Sequence, residues 1–450
     1  MTDNRVLLRA GALGTARAWL DCYDGRNCVV FNIEDNEINR GAIGPADSET
    51  LEHAAHEAMS RRIPLVGYIA SSGADVDAGI AATVGWGRLA KAVVQCSGQV
   101  PTIFCATGPA VSGPALLLGL ADIVITTQQS YAFVTGPRMV TQFTGEVISN
   151  ETLGGAVQLA RRSGVSTFMV EDKKAATDLV STLLNLLPAH TDELPPRCYM
   201  TDPTNRLTPE LTDLLPSSPS GSYDVRDVVR AVVDQGDLLE YKADWATNLI
   251  CAFATVAGRP VGIVANQPQS MAGTLDISCS QKGARFVSFC NAFNLPLVTF
   301  VDTSGFQPGK DLEWRGIIRH GAQLAFAYAR ASVGRVNVTL RKSYGGAYIV
   351  MDSRRMGNDI ALAWPSAEIA VMGAQGAVQI LHREASIEER HKLEANYEEH
   401  YLNPYKAAER GSVDAVIDPA HTRIEVAAAL EMLESKREVL PHRHHDNTPL

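Results

Sequence analysis

The sequence predicts an α/β protein of two tandem domains that are copies of one another, each a mostly parallel sheet wound with helices as a β-β-α spiral. Three observations predict it. A chain of 450 residues is too long for one ordinary core, and its 46% apolar and 20% charged residues are those of a globular protein. The stretch from Leu187 to Tyr223 carries seven prolines in 37 residues, which forbids a long helix or a central strand and marks a connection. The pieces on either side repeat one pattern. Pro64-Leu-Val-Gly-Tyr-Ile-Ala-Ser-Ser-Gly73 lies on Pro296-Leu-Val-Thr-Phe-Val-Asp-Thr-Ser-Gly305 at an offset of 232, and Gly108, Asp122-Ile123 and Gly136 lie on Gly345, Asp359-Ile360 and Gly373 at 237. The expected boundaries are 1–190 for the first domain, 191–223 for the connection and 224–450 for the second domain.

Each copy reads in the same order. A polar helical stretch (Glu49 to Arg62; Ala284 to Phe293) precedes a continuous apolar run of strand length (Leu65 to Ile69; Leu297 to Val301). A Ser-Gly turn then leads into a helix (Gly85 to Gln95; Gly316 to Ala329) and a second apolar strand (Thr102 to Ala106; Val336 to Leu340). A glycine-rich turn, a short helix and a third strand opening at the Asp-Ile pair complete the unit. Strands apolar on both faces and separated by helices belong to parallel sheets covered on both sides.

Charge and composition exclude several functions. Lys plus Arg number 40 against 50 for Asp plus Glu, a formal charge of −10 that offers no surface for nucleic acid. The start, Met1-Thr-Asp-Asn-Arg-Val-Leu-Leu8, is not a secretory leader, and no run approaches the eighteen apolar residues of a membrane span. The eight cysteines include no Cys-x-x-Cys pair, so reduced thiols of a soluble, cytoplasmic protein are expected. No His-x-x-x-His or Cys/His cluster points to a metal, and His442, His444 and His445 read as a solvated tail. Neither a Gly-x-Ser-x-Gly elbow nor a phosphate-binding loop occurs.

What remains are the glycine-rich turns after the second strand of each copy, Gly108-Pro-Ala-Val-Ser-Gly-Pro-Ala115 and Tyr344-Gly-Gly-Ala-Tyr348. A turn that leaves a strand and opens a helix presents free backbone N–H groups, and small residues let a ligand oxygen approach them. Aimed at a thioester carbonyl, such groups form an oxyanion hole for an enolate. Between Gly108 and Tyr131 the one carboxylate is Asp122, at a strand start where it suits a cap, so water-moving acid–base chemistry is not expected.

Several longer motifs carry a resemblance. Arg259-Pro-Val-Gly-Ile-Val-Ala-Asn-Gln-Pro268, Lys282-Gly-Ala-Arg-Phe286, Gly305-Phe-Gln-Pro-Gly309, Gly316-Ile-Ile-Arg-His-Gly-Ala322, Arg341-Lys-Ser-Tyr-Gly-Gly-Ala-Tyr348, Ala363-Trp-Pro-Ser-Ala-Glu-Ile-Ala-Val-Met-Gly373 and Asn403-Pro-Tyr-Lys-Ala-Ala-Glu-Arg-Gly411 resemble the carboxyltransferase (β) subunits of biotin-dependent acyl-CoA carboxylases, the propionyl-CoA carboxylase type above all. The resemblance runs from about Asp24 to Leu450. It implies two crotonase-like domains and a hexamer built as a trimer of dimers. The N-terminal domain would take the acyl-CoA and the C-terminal domain the carboxybiotin. By motif, Ser112 and Gly113 would hold the thioester enolate, and Gly346 and Ala347 the biotin urea oxygen, within a biotin-binding turn of Tyr344, Gly345, Gly346 and Ala347. Gly73, Ala74, Asp75, Gly136 and Ile349 would contact the acyl substrate, Ile349 at a position that tunes acyl size. No Met is followed by Lys, so the biotin must ride on a separate biotin carboxyl carrier protein, charged by a biotin carboxylase, with CoA entering as part of the substrate and no metal in this subunit.

The first half departs from the family. Ser71-Ser-Gly-Ala-Asp75 stands where Ser-Gly-Gly-Ala-Arg is usual, and Ser112 and Pro114 replace a glycine and an alanine of the thioester turn. Three readings follow: a carboxyltransferase acting on an acyl-CoA or an acyl-carrier protein, a biotin-dependent decarboxylase subunit, or a non-catalytic paralogue within a mixed assembly.

Overall fold

The structure, a computed structural model, describes residues 6–10, 14–37, 39–216, 218, 221–436, 438, 440–442 and 444–449. Ser217, Pro219 and Ser220 of the proline-rich stretch, and Leu450 at the end of the family resemblance, lie outside them. The chain forms two compact units: Met1–Pro196 with Lys242–Trp245, and Arg197–Tyr241 with Ala246–Leu450. The proline-rich residues from Arg197 onward therefore pack on the second unit, where the Cys198 N–H donates to the Gly258 carbonyl and the Thr208 N–H to that of Ala420. Among their described residues up to Tyr223 the one regular element is the short 3-10 turn Pro209–Leu211.

Each unit holds an eight-stranded mixed sheet. In the first, β1 (Val6–Ala10), β2 (Arg17–Tyr23), β3 (Arg26–Ile33), β4 (Leu65–Ser71), β5 (Thr102–Val111), β6 (Ile123–Thr127) and β8 (Phe168–Val170) lie in that spatial order, with β7 (Tyr131–Phe133) pairing with the end of β5. In the second, β9 (Leu239–Glu240), β10 (Leu249–Val256), β11 (Arg259–Asn266), β12 (Leu297–Thr303), β13 (Arg335–Tyr344), β14 (Ile360–Ala363) and β16 (Ala415–Val416) repeat the order, with β15 (Glu368–Ala370) on the end of β13. From β3 to β8 and from β11 to β16 the pairings are parallel, as expected from the apolar runs. The strands before them are antiparallel, an addition to the expected pattern. Their hairpins turn through Asp24-Gly25 and Ala257-Gly258, with φ of 50° and 82° and of 51° and 72°. Two successive positive φ values make the type I′ turn that suits the strand twist.

Helices cover the sheets where the sequence supplies small residues. In the first unit, Pro45–Arg61 buries Leu51, Ala54, Ala55 and Ala58, and Ile80–Cys96 buries Leu89, Ala92, Val93 and Cys96, all in one core with Phe31 and Phe104. The first of these helices begins at Gly44, whose N–H donates to Asp47 Oδ2 at 3.0 Å. At the matching place in the second unit, the Cys279 N–H donates to Asp276 Oδ1 at 2.9 Å and starts the helix Ile277–Ala292. The Asp276 cap is worth about 1 kcal/mol. No helix of the described residues is long and apolar enough to cross a membrane.

Candidate functional site

In the first unit, β4 and β5 are parallel neighbours, so the chain leaves both at the same edge of the sheet. That carboxyl edge is where open α/β sheets take ligands. The chain leaves β4 through Ser72 and Gly73, the latter at φ 121°, and leaves β5 through Ser112 into the helix Gly113–Leu120. The two turns touch: a Cβ at Gly73 would lie 3.4 Å from the Val111 carbonyl oxygen and 4.0 Å from Ser112 Cβ. Beyond Gly73, the Ile43 N–H donates to the Gly73 carbonyl (2.8 Å) and the Asp75 N–H to the Ile43 carbonyl (3.0 Å). In that parallel bridge the N–H of Ala74 between them faces away from Ile43, and Ala74 is exposed. The Gly113 N–H, first of its helix, has no intrahelical acceptor. Ala74 and Gly113 thus supply two backbone donors at one edge. Pro114, next in line, has no N–H to give.

The second unit repeats the arrangement at the ends of β12 and β13. The Leu275 N–H donates to the Gly305 carbonyl (3.0 Å) and the Gln307 N–H to the Leu275 carbonyl (2.8 Å), which leaves the Phe306 N–H facing away. The short helix Gly345–Val350 follows β13, with Gly346 exposed and Ala347 buried. Both keep an N–H within its unpaired first turn. Beneath them lies a buried ionic support. Asp302 accepts from Arg341 Nε at 3.0 Å, from the Tyr223 hydroxyl at 2.9 Å and from the Lys342 N–H at 3.1 Å. Burial pushes the Asp302 carboxyl up, against the opposing pull of Arg341. Tyr344, at the end of β13, donates its hydroxyl to Glu368 on β15. Burial first, and then Glu368, push that hydroxyl well above the ordinary tyrosine range.

The strand registers correct one sequence expectation. Leu65 pairs with Thr102 where Leu297 pairs with Arg335, and Ser71 pairs with Ala110 where Thr303 pairs with Ser343. Gly345 therefore corresponds to Ser112 and not to Gly108. The larger offset begins only at β6 and β14, after an insertion behind the second turn. Gly108 lies inside β5, and its counterpart is Arg341. A Cβ at Gly108 would come within 3.0 Å of Ala70 Cβ, so glycine and alanine pack in the first unit where Arg341 and Asp302 pair in the second. Ser112 and Gly345 share a positive φ, 60° and 56°. Gly346 and Ala347 correspond to Gly113 and Pro114.

Of the other candidates, Gly73, Ala74, Ser112 and Gly113 gather at the first turn, but the Ser112 N–H, expected to hold the enolate with that of Gly113, is donated to the Phe133 carbonyl at 2.9 Å, so Ala74 takes its place as donor. Gly136 caps the helix Pro137–Thr144 just beyond β7, whose Phe133 carbonyl accepts the Ser112 N–H. Asp75 Oδ1 accepts the Asp77 N–H at 3.1 Å within its own loop. Ile349 is 48% exposed on the short helix after β13. Asp122 is buried and accepts the Thr102 N–H and hydroxyl, as a cap does. Sequence reasoning missed Trp86 and Phe306. A Cβ at Gly113 would lie 2.5 Å from Trp86 Nε1, and one at Gly346 would lie 3.5 Å from Phe306 Cε2. Each glycine is roofed by an aromatic ring, but from different elements, so self-comparison of the sequence does not pair the rings.

Comparison with known proteins gives consistent results. The model of the family described as carboxyl transferase domain matches residues 22–448. The propionyl-CoA carboxylase beta chain of Saccharopolyspora erythraea is 43% identical over 456 residues, covering 97% of this chain and 83% of that one. The methylmalonyl-CoA decarboxylase subunit alpha of Propionigenium modestum is 41% identical over 435 residues, covering 95% and 84%. The crystal structure of transcarboxylase 12S, a hexamer with methylmalonyl-coenzyme A bound, superposes with a TM-score of 0.93 at 40% identity, covering 97% of this chain and 85% of that one.

Proposed function

The chain belongs to the carboxyl transferase domain family, as a carboxyltransferase subunit of the biotin-dependent carboxylase and transcarboxylase kind, and from that premise we propose that it moves a carboxyl group from carboxybiotin on a separate carrier protein to the α carbon of an acyl thioester. The observation that supports this reading is the pair of turns. Both units place backbone N–H donors at the carboxyl ends of two adjacent parallel strands, with no ionisable side chain among the donors.

The donors of the first unit, Ala74 and Gly113, would bind the thioester oxygen and stabilise the negative charge it gains as the α carbon loses its proton. Gly346 and Ala347 would bind the urea oxygen and stabilise the charge left as the carboxyl departs. Gly346 suits that role, being exposed and without a side chain, with the ring of Phe306 fixing one wall. Biotin supplies the activated carboxyl when bound, and the chain supplies orientation and dipoles. Partners implied are a biotin carboxyl carrier protein, a biotin carboxylase and further copies of this chain in a hexamer. Residue 349, where an isoleucine stands, would favour an apolar acyl group. The same site serves decarboxylation, a second reading favoured by the decarboxylase relative at 41% identity.

The test is carboxyl transfer from free carboxybiotin, or from a carboxylated carrier, to a panel of acyl-CoA and acyl-carrier-protein thioesters. Transfer to CoA or carrier thioesters sustains the proposal. An assembled protein inert toward all of them, in both directions, would leave the non-catalytic paralogue.

A further inference from the structure

Ser112 differs from every neighbour of its turn in one respect: it is a side-chain-bearing residue in a backbone conformation that side chains avoid. Its φ of 60° is joined to a ψ of −116°, outside the left-handed basin that Arg62 occupies at 57° and 51°. The Ser112 N–H is tied to the Phe133 carbonyl at 2.9 Å, and its side chain is exposed. The residue stands where β5 breaks sharply into a helix. The N–H of the following residue, Gly113, is the first of its helix, and the loop after the neighbouring strand, which carries the outward N–H of Ala74, passes beside it: a Cβ at Gly73 would lie 4.0 Å from Ser112 Cβ.

A serine on a strained strand-to-helix turn, with those two donors, is the layout of a nucleophile elbow with its oxyanion hole. The sequence conceals it because the flanking positions of Gly-x-Ser-x-Gly are filled by Ala110 and Pro114. Both are buried and small enough for strand and helix to pack around the turn.

Resting on the thioester reading of this turn, we propose that Ser112 Oγ is acylated by the bound acyl thioester. A C–O ester bond forms at the carbonyl carbon as the C–S bond breaks, and the hydroxyl proton passes to the departing sulfur. The products are an acyl-serine and the free thiol of CoA. Among the described residues of this chain no side chain hydrogen-bonds to Ser112, so the chain by itself positions no base for the attack or for later hydrolysis of the ester. The acylation is therefore slow and the ester persistent, a stoichiometric mark and not a rapid thioesterase.

The experiment incubates the full-length chain with propionyl-CoA, follows thiol release and maps acyl groups by peptide mass spectrometry, with carboxyl transfer assayed in parallel. Up to one acyl group per chain is expected on the peptide holding Ser112, matched by one thiol, at a rate that rises from pH 7 to pH 9. Ser112→Ala should lose the adduct, and Ser112→Cys should form it faster, since a thiol is the stronger nucleophile. Acyl groups found solely on lysine or cysteine, or unchanged in Ser112→Ala, would overturn the proposal even where carboxyl transfer proceeds. An adduct on Ser112 without carboxyl transfer would sustain it and remove the transferase reading instead.

Discussion

The two glycine-rich turns occupy the same place in two copies of one fold, yet they are held in opposite ways. The second turn rests on polar supports: Arg341 and Tyr223 on buried Asp302 below it, and the Tyr344 hydroxyl on Glu368 beside it. The first has Gly108 and Ala70 where the second has Arg341 and Asp302, and Val111 where the second has Tyr344. It gains its shape from packing, with Trp86 filling the space above Gly113. The donors differ too. Pro114 removes the N–H that Ala347 retains, so the first turn relies on Gly113 and Ala74, while the second has Gly346, Ala347 and Phe306. A duplicated scaffold has kept the backbone frame and changed which groups are free to bind.

The largest expected effect tests that difference directly. Ala347→Pro makes the second turn like the first and deletes one donor. The fold should tolerate it, because proline is compatible with a first helical turn and the first unit already carries Pro114 there. Loss of one oxyanion donor costs ~10²–10³ in rate. Carboxyl transfer should fall by about that factor, with the melting temperature little changed. Transfer at the parent rate would remove Ala347 from the site.

Next comes one substitution made in both turns. Alanine at Gly113 would put a Cβ 2.5 Å from Trp86 Nε1 and 2.6 Å from Cδ1, so the ring or the turn must shift. Overpacking of this kind costs ~1–3 kcal/mol. Alanine at Gly346 meets Phe306 at 3.5 Å, an ordinary contact, and should be almost neutral for stability. Thermal melts of the two variants, with acyl-CoA titrations, check it. The comparison breaks if Gly346→Ala is the more damaging to folding.

Much of this was legible in the chain. The apolar runs at Leu65 and Leu297 became β4 and β12, and Thr102 and Val336 lie in β5 and β13. Parallel strands buried on both faces leave a continuous apolar signal that a single sequence carries well. The hairpins before them are less legible: β2 and β3 mix arginine, aspartate and cysteine with apolar residues around the Asp24-Gly25 turn signal, whereas the apolar β10 and β11 meet at Ala257-Gly258, a pair without that signal. The false match of Gly108 to Gly345 has a physical cause. A glycine after a strand signals a turn, whereas Gly108 is small because Ala70 lies against it, and the true counterpart of Gly345 is a serine. The aromatic roofs were invisible because Trp86 and Phe306 reach equivalent glycines from non-equivalent positions.

The smallest effect concerns the polar support that the second turn has and the first lacks. Tyr344→Phe removes the hydroxyl that donates to Glu368 and should cost ~0.5–1.5 kcal/mol at neutral pH. Its pH dependence carries a definite sign. Burial, reinforced by Glu368, raises the folded pKa of Tyr344 above the unfolded value of 10.0. The unfolded state therefore loses the proton first, so the stabilisation is complete below pH 10 and declines as pH rises beyond it. Urea unfolding at pH 8 and at about pH 10.5 should show the gap between parent and Tyr344→Phe narrowing at the higher pH. Val111→Ala in the first turn, which removes no ionisable group, should show a gap of constant size over that range. A Tyr344→Phe gap that widens with pH would mean that Tyr344 is ionised in the folded protein and that the Glu368 contact is not what holds this turn.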